Sequence, residues 1–401
     1  MARRFVLAVA VAVLAVACGG GDDGGDNEGA QSGSEEKKAV IVGAIFDQSG
    51  ATSDVGTPYS QGIVDFVKFT NDNGGLDGHQ IELKSSDFGY KVPQAEQLYS
   101  QYVSEGAIAF MGWGTADTEA LRTRVTSDEI PFMSASYAET LSNPEETPYN
   151  FFPGVSYSNQ LRAVLKYIST QEKDAQVKVA VFHHDSPFGT SPLEDGQKYI
   201  DDNELKIEMV PVKMPTGAQD YNPQIQNEGK GAKYVVIQNV PSPSAKLAQN
   251  LRAAGSQATI ICMNWCGDEI FVNGAGATAA EGVIAVMPFA PPTAGAEGLE
   301  DLIAFTGSEA NLAAKGLRYV QGWFTMATMA EGISKALEAA DGGDITGPDV
   351  KAALETIKDF GTGGVSEPIT FTEENHAGLQ STPLYVVKAG KFEKLADEID
   401  I

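Results

Sequence analysis

Short apolar segments alternate with segments of helical composition along most of this chain, and this alternation constrains the fold more than any other feature. Val40–Phe46 is a continuous apolar run of the kind that is buried on both faces of a parallel sheet. Residues 61–71 then show apolar positions at helical spacing, ended by an Asn-Gly-Gly stop signal at 73–75. Repetition of this unit predicts an α/β fold with parallel strands and right-handed crossover helices.

The alternation runs from residue 40 to residue 137 and begins again after Gly154. The chain has 401 residues, of which 42% are apolar. Because a single hydrophobic core stops growing near roughly 250 to 300 residues, this length favours two cores. The sequence therefore predicts two doubly wound units of the same kind.

The segment GWGTADT at 112–118 follows an apolar run and precedes a helix, so we expect it to be a strand-to-helix loop. Its main-chain N–H groups would lie at a helix N-terminus and could hold an anion such as a carboxylate. Loops at 47–53 and 134–137 also follow predicted strands and carry hydroxyl side chains. A plain turn with Thr115 or Asp117 as the helix N-cap is the alternative.

Parallel strands bring the loops at their carboxyl ends to one edge of the sheet, where α/β proteins bind ligands. In the second unit we expect those loops to centre on Phe188, Val240 and Trp265. Aromatic residues of the loops, namely Trp113, Tyr137, Phe188 and Trp265, could form the apolar wall of a ligand site. Asp117, Asp185, Asp268 or Glu269 could pair with an ammonium group. The alternative is that the aromatic residues fill the two cores and the acids belong to an acidic surface.

The N-terminal residues predict export from the cytoplasm. Arg3 and Arg4 precede an apolar run at 5–17, which has the form of a secretory signal and is too short for a membrane span of about 20 residues. The segment LAVAC at 14–18 resembles the lipobox of bacterial lipoproteins, and this resemblance implies a lipidated Cys18. Cleavage of an ordinary signal peptide near Ala17 is the alternative. The polar residues at 19–36 are expected to form a flexible tether.

Composition argues against several other classes of protein. A formal net charge of -26 disfavours binding to nucleic acid. His183 and His184 are adjacent, so on a strand they point to opposite faces, and we expect no metal site. The segment GAGATA at 274–279 lacks the strand and the acidic residue of a dinucleotide site, so we expect a loop and no cofactor. Cys262 and Cys266 could form a disulfide or remain buried thiols.

Several segments together resemble the branched-chain amino-acid-binding type of solute-binding protein, the extracytoplasmic receptors of ABC importers. They are the lipoprotein leader, GAIFDQSG at 43–50, NGGLDG at 73–78, and IEL at 81–83 followed by Asp87. The resemblance extends from about residue 39 to the C-terminus. It implies a type I periplasmic-binding-protein fold, in which two doubly wound Rossmann-like lobes are joined by three crossover segments.

The resemblance also implies site residues. In that family Ser or Thr side chains and main-chain N–H groups hold the ligand carboxylate after the third and fourth strands. The positions that match those groups here, together with the other residues of the predicted loops, are Trp113, Thr115, Ala116, Ala135, Ser136, Tyr137, Phe188, Val240, Trp265 and Asp268. The family often places a Glu for the amino group near residues 266–268, and no Glu stands there in the simplest alignment.

We expect a signal peptide at 1–17, and a lipidated Cys18 with its linker at 18–38. Lobe 1 is predicted to comprise 39–155 plus 290–364, and lobe 2 to comprise 156–289 plus 365–401. The predicted function is extracytoplasmic capture of an amino acid or related small carboxylate for an ABC permease and ATPase complex, at the outer face of a membrane. A sensory receptor of the same fold, or an extracytoplasmic enzyme, is the alternative.

Overall fold

The computed structural model describes residues 37–396, except 174 and 342, together with residue 399. The predicted signal peptide, Cys18 and most of the linker lie outside these residues. None of the helices in the described part of the chain is long and apolar enough to cross a membrane.

Two sheets organise the chain. The first has five strands in the order β2-β1-β3-β4-β5, and all of its pairings are parallel. Its strands are β1 Val40–Phe46, β2 Ile81–Asp87, β3 Ala109–Met111, β4 Phe132–Met133 and β5 Asn150–Phe151. In β1, six of the seven residues are buried, as expected for a strand with helices on both faces of its sheet.

The second sheet has seven strands in the order β12-β11-β10-β9-β8-β6-β7. They are β6 Val177–His184, β7 Ile207–Met214, β8 Tyr234–Gln238, β9 Thr259–Cys262, β10 Ile284–Val286, β11 Leu384–Lys388 and β12 Lys391–Ala396. Strands β6 to β10 pair in parallel, whereas β11 pairs antiparallel with both β10 and β12.

Helices connect and cover the strands. They are α1 Ser53–Asp72, α2 Val92–Ser104, α3 Thr115–Asp128, α4 Tyr157–Gln171, α5 Pro187–Thr190, α6 Leu193–Asp202, α7 Asn222–Gln226, α8 Pro241–Ala253, α9 Glu269–Ala280, α10 Glu300–Thr306, α11 Glu309–Lys315, α12 Leu317–Ala339 and α13 Gly347–Leu354. Two 3-10 turns, Glu139–Leu141 and Glu297–Leu299, complete the described helical segments.

Helices α1 and α12 approach each other closely at two glycines. A Cβ on Gly62 would lie 2.1 Å from the carbonyl oxygen of Tyr319, and a Cβ on Gly322 would lie 2.0 Å from that of Tyr59. Only glycine permits this separation, because any side chain would collide with the backbone of the partner helix. The contact fixes α12 against the first unit, and this brings Arg318 and Gln321 of α12 to the space between the two sheets.

The predicted α/β class and the two doubly wound units are confirmed. The chain passes between the sheets after β5, after β10 and after α13, which gives the three crossover segments. The exact lobe boundaries stay a prediction.

Two local predictions were wrong. Residues 274–279 form part of α9 instead of a loop, although Gly276 has a φ of 75° and interrupts the helical geometry. The Ile-Thr-Phe sequence at 369–371 predicts a strand, but these residues belong to neither sheet, and Ile369 makes only an isolated bridge to Phe360. The sequence analysis also missed β7, an edge strand whose Pro211 is tolerated because an edge residue needs fewer ladder hydrogen bonds.

Candidate functional site

A cavity of about 260 Å³, counted together with the solvent space at its mouth, lies between the carboxyl ends of the two sheets. Its lining consists of Thr52, Val55, Tyr90, Trp113, Gly114, Thr115, Ala135, Tyr157, Phe188, Val240 and Trp265. Seven of these residues lie in loops that follow a parallel strand, and Val55, Thr115, Tyr157 and Phe188 lie in the first turn of the helices that come next. We call the residues from 52 to 135 the first wall and those from 157 to 265 the second wall.

Trp113 is held in the first wall by a chain of hydrogen bonds. Its Nε1–H donates to the Thr52 hydroxyl at 2.9 Å, and that hydroxyl donates to Oδ2 of Asp47 at 2.7 Å. Asp47 also accepts from the main-chain N–H of Gly50 and Thr52, so the loop after β1 is locked to the Asp47 carboxylate. These bonds fix the orientation of the indole, which is only 3% exposed.

The N-terminus of α3 forms the polar part of the first wall. Gly114 is the N-cap and provides no side chain, and the carboxylate of Asp117 accepts from the Gly114 N–H at 3.0 Å. The first intrahelical bond runs from the Thr118 N–H to the Gly114 carbonyl, so helix geometry leaves the N–H groups of Thr115 and Ala116 without a carbonyl partner in α3. Donors of this kind suit an anion or a carbonyl oxygen.

Burial raises the pKa of the Asp117 carboxyl to about 8, against the lowering effect of its main-chain hydrogen bonds. A neutral Asp117 near pH 7 leaves the positive end of the α3 dipole uncompensated by a charged side chain. The site at the start of α3 is therefore most receptive to an anion below about pH 8.

The loop after β4 contributes differently from what the sequence analysis predicted. Ala135 lies in the wall, whereas Ser136 and Tyr137 do not. The Ser136 hydroxyl bonds to that of Thr115 at 2.7 Å, and the Tyr137 hydroxyl accepts from Nε2 of Gln321 at 2.7 Å. Ser136 thus supports Thr115 of the wall, and Tyr137 contacts α12.

Aromatic rings dominate the second wall. The Trp265 Nε1–H donates to the Tyr157 hydroxyl at 2.9 Å, and the Tyr157 ring makes an edge contact with Phe188 at a centroid distance of 5.5 Å. Trp265 also approaches Trp113 across the cavity, with ring centroids 5.5 Å apart. The two walls therefore meet through their indole rings.

Trp265 lies in a loop that is closed by a disulfide between Cys262 and Cys266. Behind the indole, the guanidinium of Arg318 lies 5.1 Å from the ring centroid, within range of a cation–π interaction. Arg318 is 1% exposed and donates to the carbonyl oxygens of Asn264 and Gly267, on both sides of Trp265. The position of the Trp265 loop thus depends on α12.

The prediction that Asp268 faces a ligand ammonium group does not fit the structure. Its Oδ2 accepts from Nε of Arg318 at 3.0 Å, and its Oδ1 caps α9 by accepting from the N–H groups of Ile270 and Phe271. Burial raises the pKa of Asp268 to about 6, while the Arg318 charge acts in the opposite direction. Asp268 is a structural acid outside the cavity wall.

Of the predicted site residues, the structure brings Trp113, Thr115, Ala135, Phe188, Val240 and Trp265 together, and it leaves the side chains of Ala116, Ser136, Tyr137 and Asp268 outside the wall. The sequence analysis did not name Thr52, Val55, Tyr90 or Tyr157. Thr52 was inside a predicted ligand loop. Nothing in the sequence marks Tyr157 as a wall residue, because it begins a helix that reaches the cavity only through a tertiary contact.

No group of three or more metal-ligating side chains occurs in the described part of the chain. His183 and His184, on β6, are hydrogen-bonded to a main-chain carbonyl and to the Ser186 hydroxyl respectively. Burial lowers the pKa of both imidazoles.

Two α/β units with a mostly apolar cavity between their strand ends define a two-lobed receptor for small solutes. The sequence model of the periplasmic binding protein family matches residues 39–392, and the chain belongs to that family. The family and its relatives described below are binding proteins, and the family is extracytoplasmic.

Leu/Ile/Val-binding protein homolog 1 of Brucella abortus (strain 2308) is 23% identical over 250 residues, which are 62% of this chain and 66% of that relative. This match spans just under two thirds of the relative's length.

Two solved structures cover more of the chain. A branched-chain amino acid ABC transporter from Thermus thermophilus with bound valine is 25% identical, with a TM-score of 0.83, over 91% of this chain and 97% of that chain. An ABC transporter substrate-binding protein from Aeropyrum pernix is 26% identical, with a TM-score of 0.79, over 90% and 96% of the respective chains.

Proposed function

We propose that this protein is the solute receptor of an ABC importer, which captures an amino acid or related small carboxylate and presents it to a permease and ATPase complex. The observation that carries the proposal is the cavity itself, where loops from both sheets meet in a chain of the periplasmic binding protein family. The similarity to a transporter structure that holds valine supports it.

In this proposal the main-chain N–H groups of Thr115 and Ala116 hold the polar end of the solute. The apolar body packs against Trp113, Phe188 and Trp265, whose burial contributes most of the affinity.

Closure of the two lobes on the solute would commit it to transport. A hydrogen bond between α8 and α1 joins the two lobes in this structure. The Ser242 N–H at the start of α8 donates to Oδ2 of Asp54 in the first turn of α1, at 2.9 Å. Burial raises the pKa of Asp54. We infer that this bond helps to hold the closed form.

Binding is tested by a thermal-shift screen of the mature chain against amino acids, amides and small carboxylic acids, followed by calorimetry. A bound solute should shift the fluorescence of the cavity tryptophans and be recovered chemically unchanged by mass spectrometry. Appearance of a converted product at catalytic turnover would refute a pure binding role.

Transport is tested by deleting the gene and measuring cellular uptake of the solute found in the screen. We expect uptake to be lost and to return with the wild-type gene. Normal uptake together with a lost transcriptional response to the solute would instead identify a sensor.

We also infer that Cys18 carries a lipid that anchors the protein at the outer face of the membrane. Support comes from the basic residues 3 and 4, the apolar run 5–17 and the small residues before Cys18. The Cys18→Ser variant should appear in the soluble fraction, with wild-type protein remaining with membranes. Retention of the variant in the membrane fraction would contradict lipid anchoring.

A further inference from the structure

We propose that the cavity selects a small monocarboxylate that has an apolar body and no ammonium group, in preference to the corresponding amino acid. This inference rests on the proposed function and narrows its ligand class. It follows from the hydrogen-bonding capacity of the cavity wall.

The wall has no charge to offer a cation. Among the described residues that line the cavity, none is Asp, Glu, His, Lys or Arg, and five carry aromatic rings. An ammonium group has three N–H donors and a full charge, and burying it without paired acceptors is strongly unfavourable. A ligand carboxylate carries a full charge as well, but the wall offers it main-chain N–H donors and the positive end of the helix dipole at the start of α3.

Hydrogen-bond acceptors of the wall are largely engaged by the protein itself. The Thr52 carbonyl accepts from Val55 and Gly56, and the Gly114 carbonyl accepts from Thr118. The carbonyls of Ala135, Phe188 and Val240 accept from the side chains of Tyr157, Gln238 and Ser244 respectively.

Three of the four hydroxyl groups that line the cavity, those of Thr52, Thr115 and Tyr157, are engaged as well. The Thr52 hydroxyl accepts from Trp113 and donates to Asp47. The Tyr157 hydroxyl accepts from Trp265 and donates to the Ala135 carbonyl. A ligand ammonium group would therefore be limited to the remaining lone pairs of neutral acceptors that already have donors.

The nearest carboxylates lie behind the wall. Asp47 and Asp268 are engaged by protein donors at both oxygens. Asp54 and Asp117 each keep one buried oxygen without a partner, but neither residue lines the cavity. The unpartnered oxygen of Asp117 and the Tyr90 ring both lie close to Gly114, at 2.7 Å and 2.6 Å from the position that a Cβ on Gly114 would occupy.

The test compares ligands that differ only in the amine. Calorimetry at pH 7 on the dialysed mature chain measures 3-methylbutanoate against valine, 4-methylpentanoate against leucine, and 3-phenylpropanoate against phenylalanine. We expect at least one of these acids to bind, and each acid that binds to do so at least tenfold more tightly than its amino acid.

Equal or tighter binding of the amino acids would overturn the inference and leave the solute-binding function intact. Failure of all six probes would also overturn it. The broad screen described above then decides separately about the proposed function, because binding of any other small solute would still support a receptor.

A pair of variants tests directly whether the absence of a negative charge in the wall causes this preference. Val240 lines the cavity at the N-cap of α8, where Asp and Asn are both favourable residues. Val240→Asp should shift the preference at least tenfold toward the amino acid, whereas the uncharged control Val240→Asn should not. An unchanged preference in Val240→Asp would show that wall charge does not set selectivity and would overturn the inference.

Discussion

The two walls of the cavity are built by different means. The first wall consists mainly of strand-end loops held by short hydrogen bonds, such as those among Asp47, Thr52 and Trp113. The second wall consists mainly of large rings, and the position of Trp265 depends on Arg318 of α12, the helix that packs on the first unit. The first wall is thus held by residues of the first unit, while the second wall depends on correct packing of both units.

The largest effect is expected from breaking the support of the second wall. Arg318→Met leaves Asp268 buried without its ion-pair partner, and such losses cost about 3 to 5 kcal/mol. Urea unfolding should show this decrease in the free energy of unfolding.

The matched control is Arg124→Met, which removes an exposed ion pair with Asp128 and should cost less than about 1 kcal/mol. The double variant Arg318→Met, Asp268→Asn should recover part of the loss, because no buried charge remains unpaired. Similar, small losses for both single arginine variants would remove the distinction between the walls.

Trp113 is the ring that the first wall contributes to the ligand. Trp113→Ala should weaken binding of the solute found in the screen by about 1 to 3 kcal/mol, measured by calorimetry. Trp113→Phe keeps an apolar ring and loses the bond to Thr52 together with part of the ring area, so its loss should be smaller. Unchanged affinity in Trp113→Ala would exclude the indole from the binding site.

Asp117 should make binding of an anionic solute depend on pH. Because burial raises its pKa to about 8, the side chain is neutral below that pH and negative above it. Affinity should therefore fall about three- to tenfold as pH rises from 7 to 9, through repulsion between like charges. Asp117→Asn should give a flat profile over this range, and a decrease of the same size in the variant would assign the effect to another group.

The smallest effect is expected at the Thr115 side chain. Its hydroxyl is bonded to Ser136, so we assign the solute contact to the main-chain N–H groups. Thr115→Ala should reduce affinity by less than about fivefold, in line with loss of one neutral hydrogen bond of about 1 kcal/mol or less. A loss of a hundredfold would show that the hydroxyl itself holds the solute.

Much of the fold could be predicted because its elements are encoded locally. The continuous apolar run at Val40–Phe46 matches strand β1 residue for residue. Edge strand β7 was missed because its half-exposed residues dilute the apolar pattern. The helical 274–279 segment was missed because its glycines favour a loop when tertiary packing is ignored.

The sequence by itself determined the α/β class, the two units and the loops that reach the cavity, since hydrophobic periodicity and strand-end position are local properties. Tertiary structure alone decided which side chains of those loops face the cavity. It brought Tyr157 into the wall and paired Asp268 with Arg318, fifty residues away in the chain. Buried polar groups take whichever partner the folded chain places within hydrogen-bond distance, and periodicity carries no information about that partner.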